Sequence, residues 1–211
     1  MQLKLEQFKT WIRAHKKPVL IAVAAIVLII AGSVFWILGS NKSVNRTSNN
    51  PKVKAEQKAK NLTKESPLTG VAVAPELAER PVSAVVIENH PDARPQSGLS
   101  EAGVVYEALA EGGITRFLAF YLENRPNPIG PIRSLRTYFV DWALEFDAPV
   151  AHVGGNADAL DLVGPLGMKD MNQFAHGGNF YRTRDRYAPH NMYSDFDKLD
   201  ALMSQKDYFT A

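Results

Sequence analysis

Arg133, Ser134 and Arg136 follow a Gly130-Pro131 turn and lead into an amphipathic run from Tyr138 to Phe146. Ser134 has the side chain of a helix N-cap, so the spacing predicts a helix from about Leu135 to Phe146 with both guanidiniums at its start. A helix N-terminus carries positive partial charge and disfavours nearby cations by about 0.3–1 kcal/mol, so the arrangement calls for an anion. Bidentate guanidinium contacts suit phosphate or carboxylate. The anion is either a ligand's or the fold's own. Glu107 and Glu111, four residues apart on a predicted helix, are the supporting acids that would pair with the arginines in the second case.

Other polar residues gather at the ends of predicted strands. Glu88, Asn89 and His90 end one strand, Arg116 opens the next after Gly112-Gly113, and His152 precedes Gly154-Gly155. Ligands of sheet proteins usually sit at such strand ends and in the loops beyond them. The stretch Asn179 to Asn191 interleaves three arginines with aromatic residues and a Pro-His-Asn turn, and is expected to fold over the same pocket. The candidate ligand-binding set is therefore Asn89, Gln96, Arg116, Arg133, Ser134, Arg136, His152, Arg182, His190 and Asn191.

Two kinds of catalysis can be weighed on the same residues. A Ser–His–acid arrangement would take Ser134 with His152 or His190 and with Glu107 or Asp141. Ser134 lies in PIRSLR, not in GxSxG, and capping explains it more economically. His90, His152, His176 and His190 form no HxH, HExxH or HxxxH spacing, so no metal and no cofactor is expected. Cysteine is absent, which removes thiolate ligands, disulfides and a lipidated N-terminal cysteine.

Elements must position these groups. Val82 to Glu88 is an apolar, β-branched run and a buried-strand candidate. Asn89 to Gly98, with two prolines and a glycine, reads as a loop. Ser100 to Glu111 has helical spacing and ends at Gly112-Gly113. Ile114 to Leu122 and Pro149 to Val153 suit strands. Asn156 or Ala157 to Val163 and Asp195 to Ser204 suit helices, the last capped by Ser194 or Asp195. Strands alternating with helices predict an α/β (or α+β) class, a mixed sheet covered by helices.

The N-terminal third differs in kind. Pro18 to Leu38 carries no charge for 21 residues, with Trp11 and Trp36 near its ends, and reads as an uncleaved transmembrane signal-anchor helix. Residues 1–17 would be cytoplasmic, and the lysine pair Lys16-Lys17 favours that orientation. Residues 39–78 read as a polar, basic, disordered linker, with structure beginning near Arg80 and the folded domain at 79–211. Residues 76–211 hold twelve Lys/Arg against nineteen Asp/Glu, so the folded part is acidic and argues against nucleic acid as a partner.

Four stretches taken together resemble the YerB family of bacterial envelope proteins, whose biochemical function is unassigned. They are Arg94 to Phe117, Ile129 to Phe139, His152 to Gly155 and Phe180 to Tyr193. The resemblance implies an N-terminal α/β-type domain on the outer face of the membrane, followed by a smaller C-terminal domain. Members are commonly lipoproteins, whereas here an uncleaved anchor takes the place of the lipid. The C-terminal domain is expected to be missing from this chain, which would then carry half of any site between the two.

The expected function is that of a single-pass membrane protein with an extracytoplasmic domain that binds an anionic envelope polymer or small anionic metabolite. One alternative is an envelope hydrolase with His152 or His190 as base and Glu107 or Glu111 as acid. Another is a protein-interaction scaffold whose polar cluster serves only the fold.

Overall fold

Six consecutive buried residues, Ser83–Glu88, make strand β3 the centre of the structure. Its even-numbered residues Ala84 and Val86 enter one apolar core and its odd-numbered residues Val85 and Ile87 another. Side chains alternate across a strand, so a strand apolar at every position must be covered on both faces. A computed structural model describes residues 62–209 of the chain.

Strand β3 pairs antiparallel with β5 (Thr115–Tyr121) and parallel with β6 (Val150–His152). The five-stranded mixed sheet runs β4-β5-β3-β6-β7, where β4 is Val104–Leu109 and β7 is Asp170–Asn172. Helix α2 (Thr137–Leu144) supplies Phe139, Val140 and Ala143 to one core, joined there by Ala159 of helix α3 (Ala157–Val163). Helix α4 (Phe196–Gln205) supplies Phe196, Leu199, Leu202 and Met203 to the other. The predicted α/β class with helices covering a mixed sheet holds. Asp195 caps α4 as expected, its carboxylate accepting from the Lys198 amide at 2.9 Å.

Three expectations need correction. The segment expected to be a helix from Ser100 to Glu111 is a short 3-10 turn, Leu99–Glu101, followed by strand β4. Half-buried and exposed residues alternate along β4. Tyr106 packs edge-on against Phe120 and Trp142, with centroids 5.5 and 5.2 Å away. The antiparallel partner β5 decided between two periodicities that the sequence allows. Glu107 and Glu111 thus do not share a helix face.

Ser134 is not an N-cap. Helix α2 begins at Thr137 with Arg136 at the cap position and no side-chain cap bond. The fold also starts well before Arg80. Strands β1 (Lys64–Glu65) and β2 (Ala72–Val73) form a hairpin, followed by a one-turn helix α1 (Pro75–Ala78). Ser66 is buried and Leu68 packs on the core, so residues 62–78 belong to the domain and not to a linker.

A last pair of short strands, β8 (Tyr181–Arg182) and β9 (Met192–Tyr193), closes the loop that precedes α4. The expected cytoplasmic residues 1–17, the expected span 18–38 and residues 39–61 of the expected linker lie outside the described residues. Among the described residues no helix is long and apolar enough to cross a membrane.

The strand assignment of β4 and β5 makes a stability prediction. Phe120, fully buried between Tyr106 and Phe146, is expected to cost about 3–5 kcal/mol when changed to alanine. Val105, on the exposed face of β4, should tolerate lysine within about 0.5 kcal/mol. Urea unfolding of the full chain in detergent checks both values.

Candidate functional site

The register of the sheet places Glu88, the last residue of β3, directly opposite Arg116 at the start of β5. The chain from Gly130 to Leu135 then runs extended beside the end of β3. The Glu88 amide donates to the Pro131 carbonyl and the Arg133 amide to the Val86 carbonyl, both at 2.9 Å. Gly130 has φ +144, and a Cβ there would lie 2.9 Å from the Met192 carbonyl oxygen, so only glycine allows this close approach. These constraints, and not a helix cap, set Arg133 against Glu88.

Glu88 is the buried anchor, its side chain 5% exposed. Its Oε1 lies 3.2 Å from Arg133 Nε and 3.0 Å from His190 Nδ1. A carboxylate out of water must be compensated by charge or hydrogen bonds, and these two groups meet Oε1, whereas Oε2 is buried with no hydrogen-bond partner among the described residues. The His190 ring stacks on that of His90 with centroids 4.5 Å apart.

Glu111 is the exposed anchor, its side chain 63% accessible. It sits in a 3-10 turn, Glu111–Gly113, in which Gly112 and Gly113 have φ +66 and +74. That tight left-handed turn directs Glu111 back toward the arginines. Its Oε2 accepts from Arg116 Nη2 at 2.8 Å, and its Oε1 accepts from Arg136 Nε and Nη2. Arg116 Nη1 donates to the Ser134 carbonyl at 3.1 Å. Together Glu88, His90, Glu111, Arg116, Arg133 and His190 line an open concavity of about 160 Å³.

The electrostatics follow from this crowding. Burial lowers the pKa of Arg116, and the positive charge of Arg136 lowers it further, while Glu111 acts in the opposite sense. Burial raises that of Glu111, but the Arg136 hydrogen bond and the charges of Arg116 and Arg136 outweigh it and hold the carboxyl below the ordinary range.

A layer of polar side chains ties the end of β3 to β4 and β5. Asn89 Nδ2 donates to Thr115 Oγ1 at 2.7 Å and to Glu107 Oε1 at 3.3 Å. Gln96 Nε2 donates to the Glu88 carbonyl and to Asn89 Oδ1 at 3.0 and 3.1 Å. Glu107 meets Asn89 and Thr115 and, among the described residues, is not bonded to an arginine.

Of the residues expected in the site, Arg116, Arg133, Arg136, His190 and Glu111 come together, with Asn89, Gln96 and Glu107 behind them. Ser134 contributes its carbonyl oxygen. His152 lies apart and fully buried, with Nδ1 2.7 Å from the Gly154 carbonyl and Nε2 2.7 Å from Asp170 Oδ1. Arg182 and Asn191 bond to one another, Arg182 Nη1 donating to Asn191 Oδ1 at 2.7 Å, and do not line the concavity. Asn191 Nδ2 also donates to the Thr183 and Arg186 carbonyls and so ties the loop together. That loop does reach the site, through His190 and through the Pro189 carbonyl, which lies 3.5 Å from Arg133 Nη1.

Sequence reasoning left two wall residues out of the candidate set, Glu88 and His90, although both end the predicted strand. It also missed that His90 and His190 meet. Ligand atoms of His90, Asp92 and His190 all lie within 4.8 Å of one another, and no local spacing signals a pair a hundred residues apart.

Residues 68–209 match the family described as "Protein of unknown function (DUF3048) N-terminal domain". YerB of Bacillus subtilis (strain 168), provisionally named a lipoprotein, is 42% identical over 144 residues, 68% of this chain and 44% of that protein. A crystal structure of YerB from Bacillus subtilis superposes with a TM-score of 0.66 at 42% identity, covering 69% of this chain and 50% of that one. The chain spans half or less of the length of these relatives.

The Glu111 ion pairs predict a pH dependence with a definite sign. A carboxyl held below its unfolded value contributes stability that is present above the unfolded pKa and lost as pH falls through the folded one. A carboxyl-carbon NMR titration of the full chain should give Glu111 a midpoint below that of the unpaired glutamates. Arg136→Ala should raise it; an unchanged midpoint would remove Arg136 as its partner.

Proposed function

The chain belongs to the family of the DUF3048 N-terminal domain, and from that premise we propose that its domain is held outside the membrane and binds an anionic group. The group would belong to a cell-envelope polymer or to a small metabolite. The observation that carries this reading is a charge imbalance. Arg116, Arg133 and Arg136 gather around two carboxylates, Glu88 and Glu111, and Glu111 stands in solvent. A phosphate or carboxylate entering the concavity would complete the set by charge-assisted hydrogen bonds.

Tethering rests on the uncharged stretch Pro18 to Leu38. The lipoprotein name of the Bacillus relative supports an envelope setting. The 211 residues here contain no cysteine to carry a lipid, so the apolar stretch would serve as the anchor.

Binding suits these residues better than hydrolysis does. His152 is sealed in the core and cannot meet a substrate. Glu111 is ionised and tied to two arginines, which makes it a poor proton donor. A pure scaffold would have no need to leave the arginines beside an open concavity with an exposed acid as partner.

Thermal unfolding of the full chain in detergent against phosphorylated and carboxylated sugars tests the proposal. A ligand at a hundred times its Kd should add about 2.7 kcal/mol of stability, a rise of several degrees in Tm. Arg116→Ala/Arg136→Ala should abolish that rise, and a rise that survives the double substitution would contradict the assignment.

A further inference from the structure

His90, Asp92 and His190 converge at one edge of the concavity, with ligand atoms mutually within 4.8 Å. Two imidazoles and one carboxylate suit a divalent transition metal such as Zn²⁺. Neither imidazole is sealed off: the side chains of His90, His190 and Asp92 are 30%, 19% and 72% exposed.

The neighbouring carboxylate makes this more than a chance cluster. Glu88 Oε1 lies 3.0 Å from His190 Nδ1, where a carboxylate oxygen accepts a hydrogen bond from the tautomer protonated on that nitrogen. The Nε2 lone pair of His190 is thereby left for a metal. A carboxylate behind a ligating imidazole is the usual way in which a protein sets the tautomer and orientation of a metal ligand. Glu88 is itself buried and held against Arg133, so His190 is the rigid member of the three.

We propose that His90, Asp92 and His190 bind a divalent transition metal of the Zn²⁺ type, oriented by Glu88 and open on the side of the arginines. Tetrahedral ligands at about 2.0–2.1 Å from zinc lie roughly 3.3–3.5 Å apart, so the ligand atoms, now within 4.8 Å of one another, draw together on binding, and the His90 ring turns out of its stack on His190 so that both ring planes can contain the ion. Asp92 and His90 supply that movement. The His90 Nδ1 that now accepts from the Asp92 amide at 3.1 Å gives up one solvent-accessible hydrogen bond.

Asp92 is exposed and belongs to this cluster, not to the concavity's lining, and a divalent cation held beside it would raise the local charge by two. An anion bridging metal and guanidiniums would then be favoured, although metal binding does not depend on the anion reading.

The test is Zn²⁺ and Co²⁺ titration of the untagged full chain in detergent, followed by calorimetry and by the visible spectrum of Co²⁺. One saturable equivalent is expected, with the intense bands of low-coordinate Co²⁺. His90→Ala and His190→Ala should each abolish saturable binding, and Glu88→Gln should weaken it about 10–100-fold. His176→Ala should leave it unchanged, and Arg116→Ala/Arg136→Ala, which removes two cations, should not weaken it, which separates this proposal from the anion site. Asp92→Ala changes an exposed side chain, leaves the fold intact and should still weaken binding. No saturable equivalent in the wild-type chain, or binding unchanged in both His90→Ala and Asp92→Ala, would overturn the proposal.

Discussion

A carboxylate held out of water at the end of the central strand is the constraint around which the site is organised. Glu88 closes β3, the strand covered on both faces by apolar cores, and there its charge is too costly to leave alone. Two distant parts of the chain answer it. The Gly130 to Leu135 segment delivers Arg133, and the loop between β8 and β9 delivers His190. Each delivery is fixed by backbone pairing: the Gly130 segment hydrogen-bonds to β3, and the Ile132 amide donates to the Met192 carbonyl at 2.7 Å. Removing Glu88 would leave both partners without the charge that positions them.

Glu111 plays the complementary part in solvent. It gathers Arg116 and Arg136 through an exposed glycine-rich turn, where water screens the pairs and limits what they add to stability. A buried acid that fixes geometry and an exposed acid that water can reach divide the work at the proposed anion site. The first keeps one guanidinium and one imidazole oriented, while the second holds two guanidiniums in readiness without sealing the concavity. The polar layer of Asn89, Gln96, Thr115 and Glu107 keeps the floor in register with the sheet.

Much of the fold was legible because its strongest signals are local. The apolar run of β3, the β-branched and aromatic content of β5, and the Asp195 cap of α4 need no tertiary information. Strand β4 is not legible from sequence alone, because Val104 to Leu109 satisfies helical spacing as well as alternation, and Gly112-Gly113 resembles a helix stop. Only the partner strand resolves it. Ser134 is no cap for a related reason: pairing with β3 up to Arg133 and with the Gly154 carbonyl at Leu135 keeps the chain extended, so the helix starts at Thr137. In the site, residue type found the arginines and His190. Position at a strand end also suggested His152, but that imidazole is spent on Gly154 and Asp170. The meeting of His90 with His190 joins positions a hundred residues apart, which no local pattern encodes.

The central claim, that three particular arginines form one anion-binding set, can be read at the guanidiniums themselves. Arginine side-chain Nε–Hε resonances of the full chain, followed through a titration with inorganic phosphate, report each one separately. The account predicts saturable shifts of Arg116, Arg133 and Arg136 with one common Kd, while Arg182, bonded to Asn191, stays in place. Shifts that never saturate, or that move Arg182 as much as the other three, would contradict it.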